Sequence, residues 1–288
     1  IGPNKVSIKK NDGEVLEFSS KKIMIAVGGE SSFPKFEGNQ FMINSDHALD
    51  LNKLPKSIAI YGSGYIAVEF AGIFNGFGVD THLIFRANNA LRGFDSDLRQ
   101  HLMTSMKQKG ITIHNNNTIS EIEKNKESFK VSLSSGQELS VEMVMGATGR
   151  VPKVSGLGLK NVGVQLGQRG EILVNKLNKT NIKSIYAIGD VTDKITLTPV
   201  AIAEGHAFAD REYGGINRFI SYDKVPSAVF SQPSIAVVGL NYEEAKKQNI
   251  NVKEYKSEFR ALKNWNPPFS CRRICYYEIL KMIIKLII

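Results

Sequence analysis

The strongest constraint on the fold lies between residues 57 and 85. Ser57–Tyr61 is a continuous apolar stretch that reads as a strand, and Gly62-Ser63-Gly64 follows it directly. Tyr65–Phe77 then carries Ile66, Phe70, Ile73 and Phe77 at helical spacing, Gly78 closes the helix, and Thr81–Phe85 is a second strand. A strand, turn, helix and strand within about 30 residues has the size of a parallel βαβ crossover. Gly62-Ser63-Gly64-Tyr65-Ile66-Ala67 fits G-x-G-x-x-A. In such a turn the first glycine makes the tight bend and the second lets backbone approach a pyrophosphate. The small Ala67 permits close helix–strand packing, and the helix N-terminus supplies partial positive charge. The bare motif also occurs as a plain structural turn; here the strand before it and the amphipathic helix after it favour dinucleotide binding.

The end of the second strand selects the dinucleotide. A carboxylate there accepts from a ribose 2′-hydroxyl. This strand instead ends Phe85-Arg86, with Arg92 six residues on, and Asp80 stands at its beginning. Two guanidinium groups suit a 2′-phosphate, which favours NADPH; the alternative is that both arginines are solvated surface residues. Three more apolar strands end in glycine: Ile23–Val27 at Gly28-Gly29, Met143–Ala147 at Gly149, and Ile185–Ile188 at Gly189-Asp190. Each taken singly is a common strand end. Together they suggest a second nucleotide cofactor.

The rest of the chain reads as alternating elements. A hairpin spans 5–10 and 14–18, residues 31–54 are mostly loop, and a helix runs over Asp97–Lys109. Short strands follow at 111–114, 118–124, 128–133 and 138–142, then a glycine-rich loop over 151–170 and a helix over Pro199–Arg211. From Val225 the texture changes to strands, a helix at 242–248 and a strand at 251–258. Composition excludes several classes. Hydrophobic residues are 42% and charged residues 23%, too apolar and too mixed in sign for a disordered chain. No run of about 18 apolar residues is present, so no helical membrane span is expected. Two cysteines cannot form a disulfide framework, which points to a reducing, cytoplasmic setting. The net charge of +9 comes from scattered pairs such as Lys9-Lys10 and Lys246-Lys247, so no nucleic-acid surface is expected.

The order of Ile25-Ala26-Val27-Gly28-Gly29, the Gly62–Phe70 run, Ala147-Thr148-Gly149-Arg150 and Tyr186-Ala187-Ile188-Gly189-Asp190 resembles the pyridine nucleotide–disulfide oxidoreductases. Leu91–Asp95, Thr196–Ala201 and Val225–Pro233 are similar to the glutathione-reductase branch of that family, and the likeness covers about residues 1–263. It implies an α/β chain with a Rossmann-like NAD(P)-binding domain inserted in an FAD-binding domain, followed by the start of an α+β dimerisation domain. The expected boundaries are 1–43 and 151–223 for the FAD-binding segments, 44–150 for the NADPH domain and 224–288 for the dimerisation segment. It also implies an FAD- and NADPH-dependent reduction of glutathione disulfide by a homodimer. Other disulfide reductases, such as lipoamide dehydrogenase, and a non-catalytic nucleotide-binding protein are the alternatives.

Carried over residue by residue, the resemblance counts Gly62 among the cofactor-binding residues and places Gly64, Tyr65, Ile66 and Glu69 on the nicotinamide side, with Tyr65 covering the flavin and Glu69 facing a flavin-side lysine absent from this chain. Without it, Tyr65 is an ordinary helix-start aromatic and Glu69 a solvated carboxylate. Arg86 and Arg92 hold the 2′-phosphate, and Gly149 contacts NADPH. On the flavin side the resemblance places Gly28, Gly189, Asp190, Leu197 and Thr198, with Asp190 accepting from the ribityl chain. His206 stands where the family has a glutathione-binding arginine, and a neutral imidazole cannot reproduce that bidentate contact. Val27 replaces a threonine usual in that strand end, and Gln232 a frequent histidine. The family's first glycine-rich motif, its C-x-x-x-x-C pair and its C-terminal His and Glu are not in this sequence. An internal fragment is therefore expected, one that binds NADPH more readily than FAD and turns over no disulfide alone. Cys271 and Cys275 form C-x-x-x-C and read as an incidental thiol pair, not a metal site; residues 265–278 do not resemble the family.

Overall fold

The structure, a computed structural model, describes residues 1–259 and the backbone of 278–285. The chain divides into two compact units, residues 1–31 with 150–223 and residues 32–149 with 224–288. Along the chain the division falls at 31/32, 149/150 and 223/224.

The first unit opens with the hairpin β1 (Lys5–Lys9) and β2 (Val15–Ser19), paired antiparallel around Asn11-Asp12-Gly13, where Gly13 has a φ of 92°. β3 (Ile23–Ile25) and β4 (Gly29–Ser31) follow. The chain then enters the second unit with the short helix α1 (Ser45–Leu49), capped by Asn44. β5 (Ser57–Tyr61), α2 (Tyr65–Gly76), β6 (Asp80–Phe85), α3 (Ser96–Gln108) and β7 (Thr112–Asn115) succeed one another, and all three strands are parallel. A three-stranded antiparallel sheet comes next, made of β8 (Ile119–Lys124), β9 (Phe129–Leu133) and β10 (Glu138–Val141). β11 (Met143–Gly146) then returns to lie parallel beside β5, giving the order β11-β5-β6-β7. Strand order therefore reverses between β5 and β11, and the crevice at their carboxyl ends is the place where parallel α/β sheets bind ligands.

The parallel strands are apolar on both faces because both are covered. Ile58, Ile60, Leu83, Phe85 and Met145 pack in one core with Val68, Phe74, Leu102 and Met106 from the two helices. Ala59, Tyr61, Ile84 and Val144 point the other way and pack with Ile122, Val131 and Leu133 of the antiparallel sheet. Val229 and Ile235, far along the chain, join the helix-side core.

Back in the first unit, β12 (Arg150–Pro152) pairs antiparallel with β4, and β13 (Ile185–Ala187) pairs parallel with β3. The sequence ends one strand at Gly28-Gly29 and opens loops at 31 and 151, whereas the structure pairs Gly29–Ser31 with Arg150–Pro152. Three residues on each side carry too little periodicity to register as strands, and their pairing is between segments more than a hundred residues apart. The helix α4 (Thr198–Glu212) closes this unit. The second unit resumes with β14 (Ser227–Val229), β15 (Ile235–Val237), α5 (Tyr242–Lys247) and β16 (Val252–Phe259), and β16 pairs antiparallel with β17 (Glu278–Lys285). Cys271, Cys275 and residues 265–277 of the stretch unlike the family lie outside the described residues.

At the β6–β7 edge, His82 Nδ1 lies 3.0 Å from His114 Nε2 with the rings stacked, and Asp80 is 3.4 Å from the other nitrogen of His82. Burial, reinforced by the neighbouring His82, holds the buried His114 imidazole below its ordinary value of 6.5. The unfolded chain therefore takes up this proton first as pH falls. The ring's contribution is full above 6.5 and is lost as pH drops through the lower native value. Thermal unfolding followed from about pH 7.5 to about pH 5 should show His114→Asn losing less stability on acidification than the unmodified chain. Parallel pH profiles would refute this.

Candidate functional site

The second unit brings Gly62, Gly64, Tyr65, Ile66, Glu69, Arg86, Arg92 and Gly149 around the carboxyl ends of β5 and β11. Gly62 has a φ of 150°, and a Cβ there would lie 2.1 Å from the Ala147 carbonyl oxygen. The strands approach so closely because Ala147 N donates to the Tyr61 carbonyl at 2.7 Å, continuing the ladder past the strand ends. Gly64 is the N-cap of α2, with a φ of −78°, and a Cβ there would meet nothing within 4 Å. The two glycines thus differ in kind: Gly62 is needed by the fold, whereas Gly64 leaves a bare backbone facing open space. Ala67 is fully buried against the turn, its Cβ 3.3 Å from where a Cβ on Gly62 would be.

Tyr65 is the first residue of α2 and is 39% exposed; Ile66 is half-buried. Glu69 lies one turn on, and its Oε1 accepts the Phe230 N–H at 2.8 Å. Gly149 has a φ of 156°, its carbonyl accepts from Ser32 N at 3.0 Å, and Thr148 Oγ1 donates to the Ser32 carbonyl at 2.7 Å.

The arginines are carried by a loop that is itself anchored to the glycine turn. Arg86 follows the last residue of β6 and is exposed, and Tyr61 senses its charge. Burial raises the Tyr61 phenol above its ordinary range, and the Arg86 guanidinium acts in the opposite direction. Leu91 adopts a φ of 55° and donates its N–H to the Ser63 carbonyl at 2.7 Å, which places Arg92 next to the turn. Arg99 of α3 donates to the Ala90 and Asn89 carbonyls at 2.6 and 2.8 Å, and Asn115 Nδ2 donates to the Asn88 carbonyl at 2.9 Å. Leu91 falls in the Leu91–Asp95 stretch, but Arg99 and Asn115 act on backbone carbonyls and no local sequence pattern announces them. Neither Arg86 nor Arg92 pairs with a carboxylate among the described residues.

The first unit gathers Gly28, Gly189, Asp190, Leu197 and Thr198. Gly28 has a φ of 70° with no atom within 4 Å of a Cβ position, and its carbonyl accepts from Lys153 N at 3.0 Å. Ile188 N donates to the Ile25 carbonyl at 3.1 Å, so the adjacent parallel strands β3 and β13 deliver Gly28 and Gly189 to the same end of their sheet. Asp190 follows in a short 3-10 helix, Gly189–Thr192, and its carboxylate makes no side-chain hydrogen bond among the described residues. Leu197 is the N-cap of α4, Thr198 its first residue, and Thr198 is exposed. His206 is on the exposed face of α4, two turns beyond Thr198. Glu204 was missed: it is 1% exposed and its Oε2 accepts from Gly189 N at 2.6 Å. The sequence did hold a signal, because Val200, Glu204 and Ala207 fall at i, i+4 and i+7 and a charged residue interrupts an apolar stripe.

A parallel sheet with a glycine turn opening a helix at its switch point defines a Rossmann-like, nucleotide-binding α/β protein. The sequence profile described as pyridine nucleotide-disulphide oxidoreductase matches residues 1–205, and the one for that family's dimerisation domain matches residues 225–287. The chain is 43% identical over 262 residues to a glutathione reductase of Burkholderia cepacia, covering 91% of this chain and 57% of the relative. It is 41% identical over 260 residues to a glutathione reductase of Nostoc sp., and 42% identical over 247 residues to a trypanothione reductase of Trypanosoma congolense, covering 85% and 84% of this chain and 57% and 50% of the relatives. Among solved structures, the HOCl-induced flavoprotein disulfide reductase RclA from Escherichia coli superposes with a TM-score of 0.88 at 26% identity, over 99% of this chain and 64% of that one. The chain belongs to the pyridine nucleotide-disulphide oxidoreductase family. It spans a little over half the length of the curated glutathione reductases it matches.

Two substitutions separate the roles of the paired glycines. Gly62→Ala forces a Cβ onto the Ala147 carbonyl and should cost about 2–3 kcal/mol of stability. Gly64→Ala, at the N-cap with open space around it, should cost less, about 0.5–1 kcal/mol, and still weaken nucleotide binding. Denaturant unfolding of the two variants checks this, and equal losses would contradict it.

Proposed function

We propose that the chain is the NADPH-binding unit, part of the FAD-binding unit and the beginning of the dimerisation unit of a flavoprotein disulfide reductase of the glutathione-reductase type. The observation that carries the NADPH assignment is the pair Arg86 and Arg92, without carboxylate partners, on a loop bonded to the Gly62–Gly64 turn through Leu91 N and the Ser63 carbonyl. Two guanidinium groups beside a pyrophosphate-sized turn match a 2′-phosphorylated ribose and leave an unphosphorylated one without its usual acceptor.

The residues fit both cofactors. For NADPH, Gly64 gives the bare backbone at the N-terminus of α2, where a pyrophosphate gains from the helix dipole. For FAD, Gly28 gives bare backbone at the end of β3 and Asp190 gives an uncommitted carboxylate beside it, one that can accept from a polyol hydroxyl. When bound, these cofactors would supply hydride donation and onward electron transfer to a disulfide. The chain's own residues bind and orient. Tyr65, at the start of α2, can cover or uncover an aromatic ring, and the N-terminus of α4 at Leu197 and Thr198 offers partial positive charge to an electron-rich ring. The domain boundaries 1–43, 44–150, 151–223 and 224–288 remain part of this reading as functional segments.

Glutathione disulfide is the proposed substrate of the whole enzyme, supported by the named relatives in Burkholderia and Nostoc. His206 bears on that choice, because it sits exposed on α4 as a single-site donor and acceptor in place of a bidentate guanidinium. The match to the dimerisation domain supports a homodimer. A cytoplasmic setting rests on the scarcity of cysteines; no helix among the described residues is long and apolar enough to cross a membrane.

Calorimetric titration of both nucleotides tests the assignment. Arg86→Glu should weaken NADPH by about tenfold or more, the loss expected when a charge-assisted hydrogen bond is removed and a repelling carboxylate is introduced, while NADH changes little. Equal losses for the two nucleotides would overturn the 2′-phosphate assignment.

A further inference from the structure

Position 204 lies on the buried stripe of α4 between Val200 and Ala207, where an aliphatic side chain would pack without electrostatic cost. Instead a carboxylate is held there, almost wholly out of water. Its oxygens are satisfied by three donors from one unit. Gly189 N–H donates to Oε2 at 2.6 Å, Tyr222 O–H donates to Oε1 at 2.5 Å, and the Lys194 ammonium lies 3.5 Å from Oε1. Lys194 also donates to the Tyr222 oxygen at 2.9 Å and sits 5.0 Å from the centre of that ring. Burial first, and the Glu204 carboxylate second, raise the Tyr222 phenol well above its ordinary range, so it stays protonated and keeps donating.

The network grips both segments that the cofactor reading assigns to the flavin. Gly189 has a φ of 71°, its carbonyl accepts from Thr192 Oγ1 at 2.9 Å, and a Cβ there would lie 3.1 Å from Ala201 of α4. Its N–H is the backbone donor at the start of the turn that carries Asp190, and Glu204 accepts from it. Lys194 stands midway between Asp190 and Thr198, so its bonds to Glu204 and Tyr222 tie down the loop joining the two. We propose that Glu204 is a positioning residue for the flavin site, holding the Gly189–Asp190 turn directly and the loop to Thr198 through Lys194 and Tyr222. This rests on the assignment of FAD to the first unit.

The experiment uses the full chain and three variants, E204A, E204Q and E204M, with the FAD dissociation constant read by flavin fluorescence and exchange of the Gly189 amide read by hydrogen–deuterium exchange. E204M fills the volume without an acceptor, and its apolar side chain suits the stripe, so it folds even if the smaller alanine leaves a hole. E204Q keeps an oxygen that reaches Gly189 N–H. FAD binding should weaken by about tenfold or more in E204A and E204M, with faster Gly189 exchange, and E204Q should stay within about threefold of the unmodified chain. NADPH affinity should be unchanged in all three. E204M that binds FAD as tightly as the unmodified chain would overturn the proposal, leaving position 204 a filler of volume. E204Q as weak as E204M would equally overturn it, since reach to Gly189 would then not matter. An unmodified chain that binds no FAD would overturn the cofactor reading itself, and the positioning role with it.

Discussion

The approach of Gly62 to the Ala147 carbonyl is the constraint on which the nucleotide-binding geometry depends. Two neighbouring parallel strands must part at their carboxyl ends, one turning into α2 and the other leaving toward Gly149. The β5 chain turns away with a φ of 150°, in a space where a Cβ would lie 2.1 Å from a carbonyl oxygen. Only a residue without a side chain can make that turn there. Everything downstream inherits its position. Ala67 is small because α2 starts so close to the turn, and the Ser63 carbonyl points where Leu91 N can bind it, which fixes the loop bearing Arg92. The position of the loop bearing Arg92 thus traces back to one backbone contact, while Arg86 is set by the end of β6.

The turn at Gly189 solves a similar problem by different physics. There too a parallel strand ends in a glycine with positive φ, but the crowding is milder, with a Cβ 3.1 Å from the Ala201 methyl group. Steric exclusion alone leaves such a turn freer, and a side chain supplies the remaining order. Glu204 does so at the expense of burying a carboxylate, which is stable only because three donors meet it. Placing one donor on the backbone of the turn and two on side chains makes the network cooperative, since loss of any member leaves the others short of partners.

The legibility of the fold follows from the range of the interactions. The β5–α2–β6 unit could be read because strand, glycine turn and helix are neighbours in sequence and each has its own period. The hairpin of β1 and β2 was legible for the same reason, through Asp12-Gly13. By contrast, β4 and β12 have three residues each and become strands only by meeting one another. Gly62, Gly64 and the arginines stand out in the sequence by their spacing, but the contacts that place them do not. Arg99, Leu91 and Asn115 act on backbone carbonyls, and a carbonyl has no letter in the sequence. Glu204 is the intermediate case, visible as a charge in an apolar stripe although its partner Gly189 is fifteen residues earlier.

Glu69 shows how a carried-over role and an observed contact fit together. The family resemblance implies for its carboxylate a flavin-side lysine that this chain does not contain. The structure gives it the backbone N–H of Phe230, just beyond β14. These are not rivals, because a carboxylate has two oxygens and about four acceptor sites, and Phe230 uses Oε1. The backbone bond fixes the Glu69 rotamer, so its second oxygen is presented in a defined direction without reorganisation. It also links α2, whose N-terminus lies at the glycine turn, to the strand pair β14–β15, whose Val229 and Ile235 enter the same core. The opening residues of the dimerisation segment are therefore part of the second unit's interior, and the helix that presents Tyr65 is buttressed from a part of the chain more than 150 residues away.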